Sequence, residues 1–163
     1  MVKKLLFFFI LASFLSAKAQ KTPGAILDKW HQAAANANFE IYFTLMAKDA
    51  VYIGTDATER WTKKEFKVFA KPYFDNGQGW TFVPLKRNII YSENKNLLWF
   101  DELLDSPHMG LVRGSGVLER TDKNWKIKHY VLSFAIPNEK AREVTQLKEA
   151  LDKKQLGKLN QTD

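Results

Sequence analysis

Asp101 and Glu102 directly follow Trp99 and Phe100, and Arg113 and His129 come soon after them in the chain. A carboxylate held beside tryptophan and away from water has its pKa raised, which suits a general base that removes a proton next to a carbonyl. Asp101 is the candidate for that role, with His129 as a second acid/base group. Tyr52, Tyr73 or His129 could then stabilise the oxyanion that develops. Arg113 could hold a carboxylate-bearing ligand through its two-pronged guanidinium, and Trp61 and Trp99 would supply aromatic wall. Each assignment has a plainer competitor. Asp101 could accept a hydrogen bond from a tryptophan N–H or pair with Arg113, Arg113 could pair across strands with Glu102, and His129 could be a satisfied structural histidine. Trp61 stands directly before a capping box and could be a hydrophobic staple or a lid.

Other chemistries lack their residues. The chain has no cysteine, Ser115 lies in a strand-like stretch, not in a nucleophile elbow, and no phosphate-binding loop is present. The three histidines, His31, His108 and His129, show no metal-ligand spacing, so neither a metal nor a cofactor is expected. His31 on a helix and His108 in a turn read as solvent-facing.

Three strand-like segments must position the candidate residues. Residues 97–105, 110–120 and 125–134 are joined by Ser106-Pro107-His108-Met109 and Thr121-Asp122-Lys123-Asn124, which read as hairpin loops. With Asp105 opposite Gly110, Trp99 faces Gly116, Asp101 faces Gly114 and Glu102 faces Arg113. With Thr121 opposite Asn124, Gly116 also neighbours His129. Side chains alternate along a strand, so Trp99, Asp101, Leu118, Ile127 and His129 share a face with the two glycines, where a ligand can approach. A shift of one residue swaps the faces and brings Glu102, Arg113 and Tyr130 into the pocket instead.

Upstream, Thr22-Pro23 is a helix start, followed by Ile26, Leu27, Trp30, Ala33, Ala34 and Ala37 at helical spacing. Phe39, Tyr42, Phe43 and Met46 form a second short helix, and Ala50-Val51-Tyr52-Ile53 a short strand ending at Gly54. Asp56, Glu59, Arg60 and Trp61 fall in the loop that follows, near the expected pocket mouth. An Asp turn and an Arg–Glu surface pair would account for its charged members. Thr62-Lys63-Lys64-Glu65 is a capping box opening a third helix that contains Pro72 and carries Tyr73. Residues 80–91 read as a long strand whose Pro84 implies an edge position or a bulge. Residues 139–156 predict a largely polar helix, fraying after Gly157. Helices first and strands later imply an α+β layer.

The chain has 163 residues, with 25 basic and 18 acidic. Lys3 and Lys4, the apolar residues 5–15 and Ala17-Lys18-Ala19 have the order of a secretory signal peptide, so residues 1–19 are expected to be removed and the protein exported to the periplasm or beyond. The remaining chain holds 22 basic and 18 acidic residues, and no later segment offers the ~20 apolar residues of a membrane span. Dispersed charge speaks against nucleic acid as a partner. Without cysteines an exported domain must rely on its core, for which the whole chain supplies 12 Phe, 5 Trp and 5 Tyr.

The order helix–helix–short strand–helix, then four long antiparallel strands, resembles the nuclear-transport-factor-2-like superfamily. Asp56-Ala57-Thr58-Glu59-Arg60-Trp61-Thr62, Gly79-Trp80, Trp99-Phe100-Asp101-Glu102, Arg113-Gly114-Ser115-Gly116-Val117-Leu118, Trp125-Lys126-Ile127 and Ile136-Pro137-Asn138 are similar to exported SnoaL-like proteins. The resemblance implies a cone of three N-terminal helices on a curved, mainly antiparallel sheet over residues 22–138, with 139–163 as a helical tail. It also implies a pocket for a small apolar or aromatic ligand, in a superfamily that includes both enzymes and plain binding modules. The base and oxyanion set of the related steroid isomerases has no full match here. Phe100, Val117, Tyr130 and Leu132 fall on the face opposite the expected pocket, which predicts a two-fold homodimer through that face.

Overall fold

The computed structural model describes residues 22–122 and 124–161; the expected signal peptide lies outside them. Helix α1, Pro23–Ala35, begins as expected, with the Thr22 hydroxyl accepting the Ala25 N–H and Pro at the first position, where no N–H is needed. Its buried stripe is Ile26, Leu27, Trp30, His31, Ala33 and Ala34. Helix α2 is Phe39–Thr44, capped by Asn38. Strand β1, Met46–Ile53, starts earlier than the sequence suggested, and β2, Arg60–Thr62, turns back on it where a loop was expected.

Helix α3, Lys63–Asp75, opens with the complete reciprocal capping box between Thr62 and Glu65. Trp61, just before the cap, stacks on Phe66 in the next turn with ring centroids 5.5 Å apart, so it acts as the hydrophobic staple. Strands β3 (Val83–Tyr91), β4 (Leu97–Ser106), β5 (Gly110–Thr121) and β6 (Asn124–Phe134) form the long meander. A short 3-10 turn, Asn138–Lys140, leads into α4, Ala141–Leu159, which continues past Gly157.

The six strands make one sheet in the order β2-β1-β6-β5-β4-β3. All neighbours are antiparallel except β1 and β6, which run parallel. Pro84 sits on the edge strand, at an irregularity between Pro84 and Lys86, as its missing donor requires. The core lies between the inner face of the sheet and α1, α2 and α3. It is mainly aromatic: Trp30, Tyr42, Phe43, Tyr52, Phe66, Phe74, Phe82, Phe100 and Tyr130 are all buried.

The sheet register departs from the expected one by one residue. Ser106, not Asp105, pairs with Gly110, because Gly110 takes a positive φ of 64° and closes a three-residue loop, drawing Ser106 into the strand. Asp101 therefore faces Ser115, Glu102 faces Gly114 and Trp99 faces Val117. A second irregularity between Val117 and Leu118 leaves Lys128 unpaired in the ladder and sets Gly116 opposite Tyr130, not His129. The inner and outer faces of β4 are thereby exchanged relative to the reading from sequence.

Candidate functional site

The inner face of β4 presents Leu98, Phe100, Glu102 and Leu104, and Glu102 is fully buried. Its carboxylate is held from three sides. His31 Nε2 lies 2.7 Å from Oε1, the Tyr130 hydroxyl donates to the same oxygen at 3.2 Å, and Arg87 Nε donates to Oε2 at 2.8 Å. Arg87 continues outward to Asp28 Oδ1 at 2.7 Å and to the Gly24 carbonyl at 3.2 Å. Desolvation pushes the Glu102 carboxyl pKa up, but the hydrogen bond and charge of His31, then the charge of Arg87, outweigh it and hold it below its ordinary value. Arg87 is pulled down by its own burial and more than restored by Glu102 and Asp28, so its guanidinium stays charged. Gly114 makes this packing possible: a Cβ there would collide with the Tyr130 hydroxyl and press on Glu102.

In front of this cluster is a cavity of about 160 Å³. Its aromatic wall is Tyr52, Trp61, Phe66, Phe69, Trp80 and Phe82, completed by Met109 from the β4–β5 turn and Leu132 from β6. Tyr52 stacks on Phe66 at 4.1 Å and on Tyr130 at 5.6 Å, and Phe82 stands 6.1 Å from the His31 ring. The polar cluster is thus the layer directly behind the cavity wall. Burial, then the nearby charge of Glu59, pushes the Tyr52 hydroxyl well above the ordinary tyrosine pKa, so it is a neutral hydrogen-bonding group.

The residues expected to form the site divide between two faces. Tyr52 and Trp61 line the cavity. Trp99 is 49% exposed on the outer face. Asp101 is exposed there too and accepts a hydrogen bond from the Asn88 side chain at 3.0 Å, so the desolvated setting expected for a base is not the one it occupies. His129 is half-buried on the outer side, opposite Val51 and Val117. Arg113 is exposed opposite Leu103, and the partner of Glu102 is Arg87 instead. Tyr73 is 45% exposed on α3, beside Phe69 but outside the cavity lining.

His31, read as solvent-facing, is buried against Glu102. Its position was legible, since Leu27, His31 and Ala34 fall at i, i+4 and i+7 on one stripe. Asp56 makes the expected turn, accepting from both Thr58 N–H and hydroxyl. Arg60 lies near Glu65 and does not pair with Glu59. Among the described residues no group of three or more acids and histidines is arranged to hold a metal, and no helix is long and apolar enough to cross a membrane.

A search of curated proteins with the sequence finds no match. Among solved structures the chain is similar in fold to a nuclear-transport-factor-2-like protein of unknown function from Pseudomonas putida KT2440, with a TM-score of 0.60 and 14% identity, covering 76% of this chain and 92% of that one. A nuclear-transport-factor-2-like protein from Cytophaga hutchinsonii gives a TM-score of 0.54 at 17% identity, covering 67% and 92%. A domain of unknown function with a cystatin-like fold from Nostoc punctiforme gives 0.59 at 14%, covering 85% and 91%. Residues 24–137 match the SnoaL-like domain, so the chain, whose fold is like that of the nuclear-transport-factor-2-like structures, belongs to the SnoaL-like family.

Proposed function

We propose that this is an exported small-molecule-binding protein, released from its leader near Ala19, whose ligand occupies the aromatic cavity. The observation that carries the reading is the division of labour at the site. Six of the eleven residues lining the cavity are aromatic, while the fully buried acid behind it, Glu102, is already engaged by Arg87, His31 and Tyr130. An acid with three partners holds a structure together more readily than it turns over a substrate. A cavity of about 150 Å³ lined by apolar side chains accepts a benzene-sized molecule, which bounds the ligand here. Native mass spectrometry of the protein from its source should show a small adduct that a Trp61→Ala variant loses. Absence of any adduct, together with unchanged tryptophan fluorescence across a panel of benzene-sized compounds, would refute the reading.

A second reading, proton transfer next to a carbonyl as in an isomerase or dehydratase, is favoured by the 2.7 Å contact between His31 and Glu102. A carboxylate held against one imidazole nitrogen orients the ring, whose other nitrogen can then donate or accept a proton, and His31 also lines an open groove between α1 and the start of β3 with Gln32, Thr81 and Pro84. The role first given to Asp101 would then pass to His31.

Assembly is part of the proposal. The outer face carries Ile90 and Trp99, each 49% exposed, beside half-buried Val117 and Val131. This is the surface for a two-fold dimer, in place of Phe100, Tyr130 and Leu132, which are buried in the core.

A further inference from the structure

Among the described residues, the one charged side chain lining the aromatic cavity is that of Glu59. The loop before β2 fixes it in place. Gly54 N–H donates to the Glu59 carbonyl at 2.8 Å, Glu59 N–H donates to the Asp56 carbonyl at 3.0 Å, and the Asp56 N–H donates to Glu59 Oε2 at 3.2 Å. The side chain lies flat over Gly54, where any Cβ would collide with the carboxylate, so only glycine at that position permits this placement. Among the described residues no lysine, arginine or histidine lines the cavity. Arg60, the nearest cation in sequence, is exposed and acts electrostatically on Glu65, and no ion pair involves Glu59 among the described residues. The wall also offers the Tyr52 hydroxyl, which lies within the field of Glu59.

A half-buried carboxylate at the rim of an apolar, aromatic cavity, without a protein counter-charge, sets the sign of what can enter. An anionic ligand would meet it at close range in a medium that screens charge poorly. A cation would gain a charge-assisted hydrogen bond there and place its apolar body among the rings. We propose that the ligand is a small organic cation, an amine or methylated ammonium on an apolar or aromatic body of about benzene size, held by Glu59. This rests on the cavity being the ligand site and adds the charge of the ligand to it.

The test uses three probes that share one ring and differ in charge: benzylamine as its ammonium ion, benzyl alcohol and benzoate. Binding to the full mature chain is followed by the fluorescence of the wall tryptophans Trp61 and Trp80. Benzylammonium should bind about tenfold tighter than benzyl alcohol, as one charge-assisted hydrogen bond allows, and benzoate weakest of the three. Glu59→Gln, in a loop outside the core, should reduce benzylammonium to the level of benzyl alcohol and leave the alcohol's affinity unchanged. Equal binding of alcohol and ammonium, or preference for benzoate, overturns the charge assignment while the cavity remains a binding site. Failure of all three to bind overturns both.

Discussion

Asp101 and Glu102 are adjacent carboxylates on one strand, and the sheet sends them into opposite surroundings. On the inner face Glu102 is sealed from water and tied to three other elements through His31 of α1, Arg87 of β3 and Tyr130 of β6. On the outer face Asp101 touches one neighbouring strand through the Asn88 amide and is otherwise at the surface. The same contrast holds for the two histidines at issue, since His31 is locked in the core and His129 rests half-buried among Val51 and Val117. Residue type therefore says little about role in this molecule. The face of the sheet decides whether a charge organises the core or decorates the surface.

The comparison breaks first at Glu102. Glu102→Gln removes the countercharge of Arg87 inside the protein, and breaking a buried pair in this way should cost about 3–5 kcal/mol. Urea titration of the folded domain measures it. Adding Arg87→Met should recover part of the loss, because the stranded charge goes too; a double variant as unstable as the sum of its parts would show the two residues to be independent.

Titration gives the next largest effect. Glu102 is an acid whose native pKa is held down, so its contribution is complete above the unfolded carboxyl value of about 4.3 and disappears as pH falls through the lower native value. Stability should drop in acid below about pH 4, and Glu102→Gln should flatten that limb. At the other extreme, burial raises the pKa values of Tyr42, Tyr52 and Tyr130. The unfolded chain then ionises first, and stability should fall above about pH 10. Chemical denaturation across the pH range reads both limbs.

The outer face should answer differently. Trp99→Lys is expected to convert a dimer into a monomer by sedimentation velocity while the protomer stays folded. Asp101→Asn should be the mildest change of all, leaving melting temperature and ligand binding as they were. A folded Asp101→Asn protein that had lost binding would return Asp101 to the site and undo the distinction between the faces.

Local signals carried much of the fold. Thr22-Pro23, the Thr62–Glu65 box, the Trp61 staple and the edge position of Pro84 are each set by a few adjacent residues, and each appears as the sequence implies. The site was less legible because it depends on parity. Side chains alternate with period two, so one residue gained by the strand at Gly110 moved Asp101 and Trp99 to the outside together and brought Glu102 in, while Arg113 stayed exposed. The cluster around Glu102 joins residues from four separate elements, and no local pattern marks Arg87 as its partner. Glu59 reads as a mouth residue from the sequence, but that no ion pair engages it among the described residues shows only in the fold.

The parallel ladder between β1 and β6 also governs the order in which this protein can be made. Tyr52, part of the cavity wall, pairs with Tyr130, and Val51 with His129, so one of the earliest strands is completed by the last. A chain emerging from the ribosome must hold its helices and β1 in suspense until β6 has followed. Such long-range closure slows folding and leaves aromatic surface uncovered in the meantime. A polypeptide halted before Trp125 would have the materials for every helix of the cone and still lack the strand that shuts it.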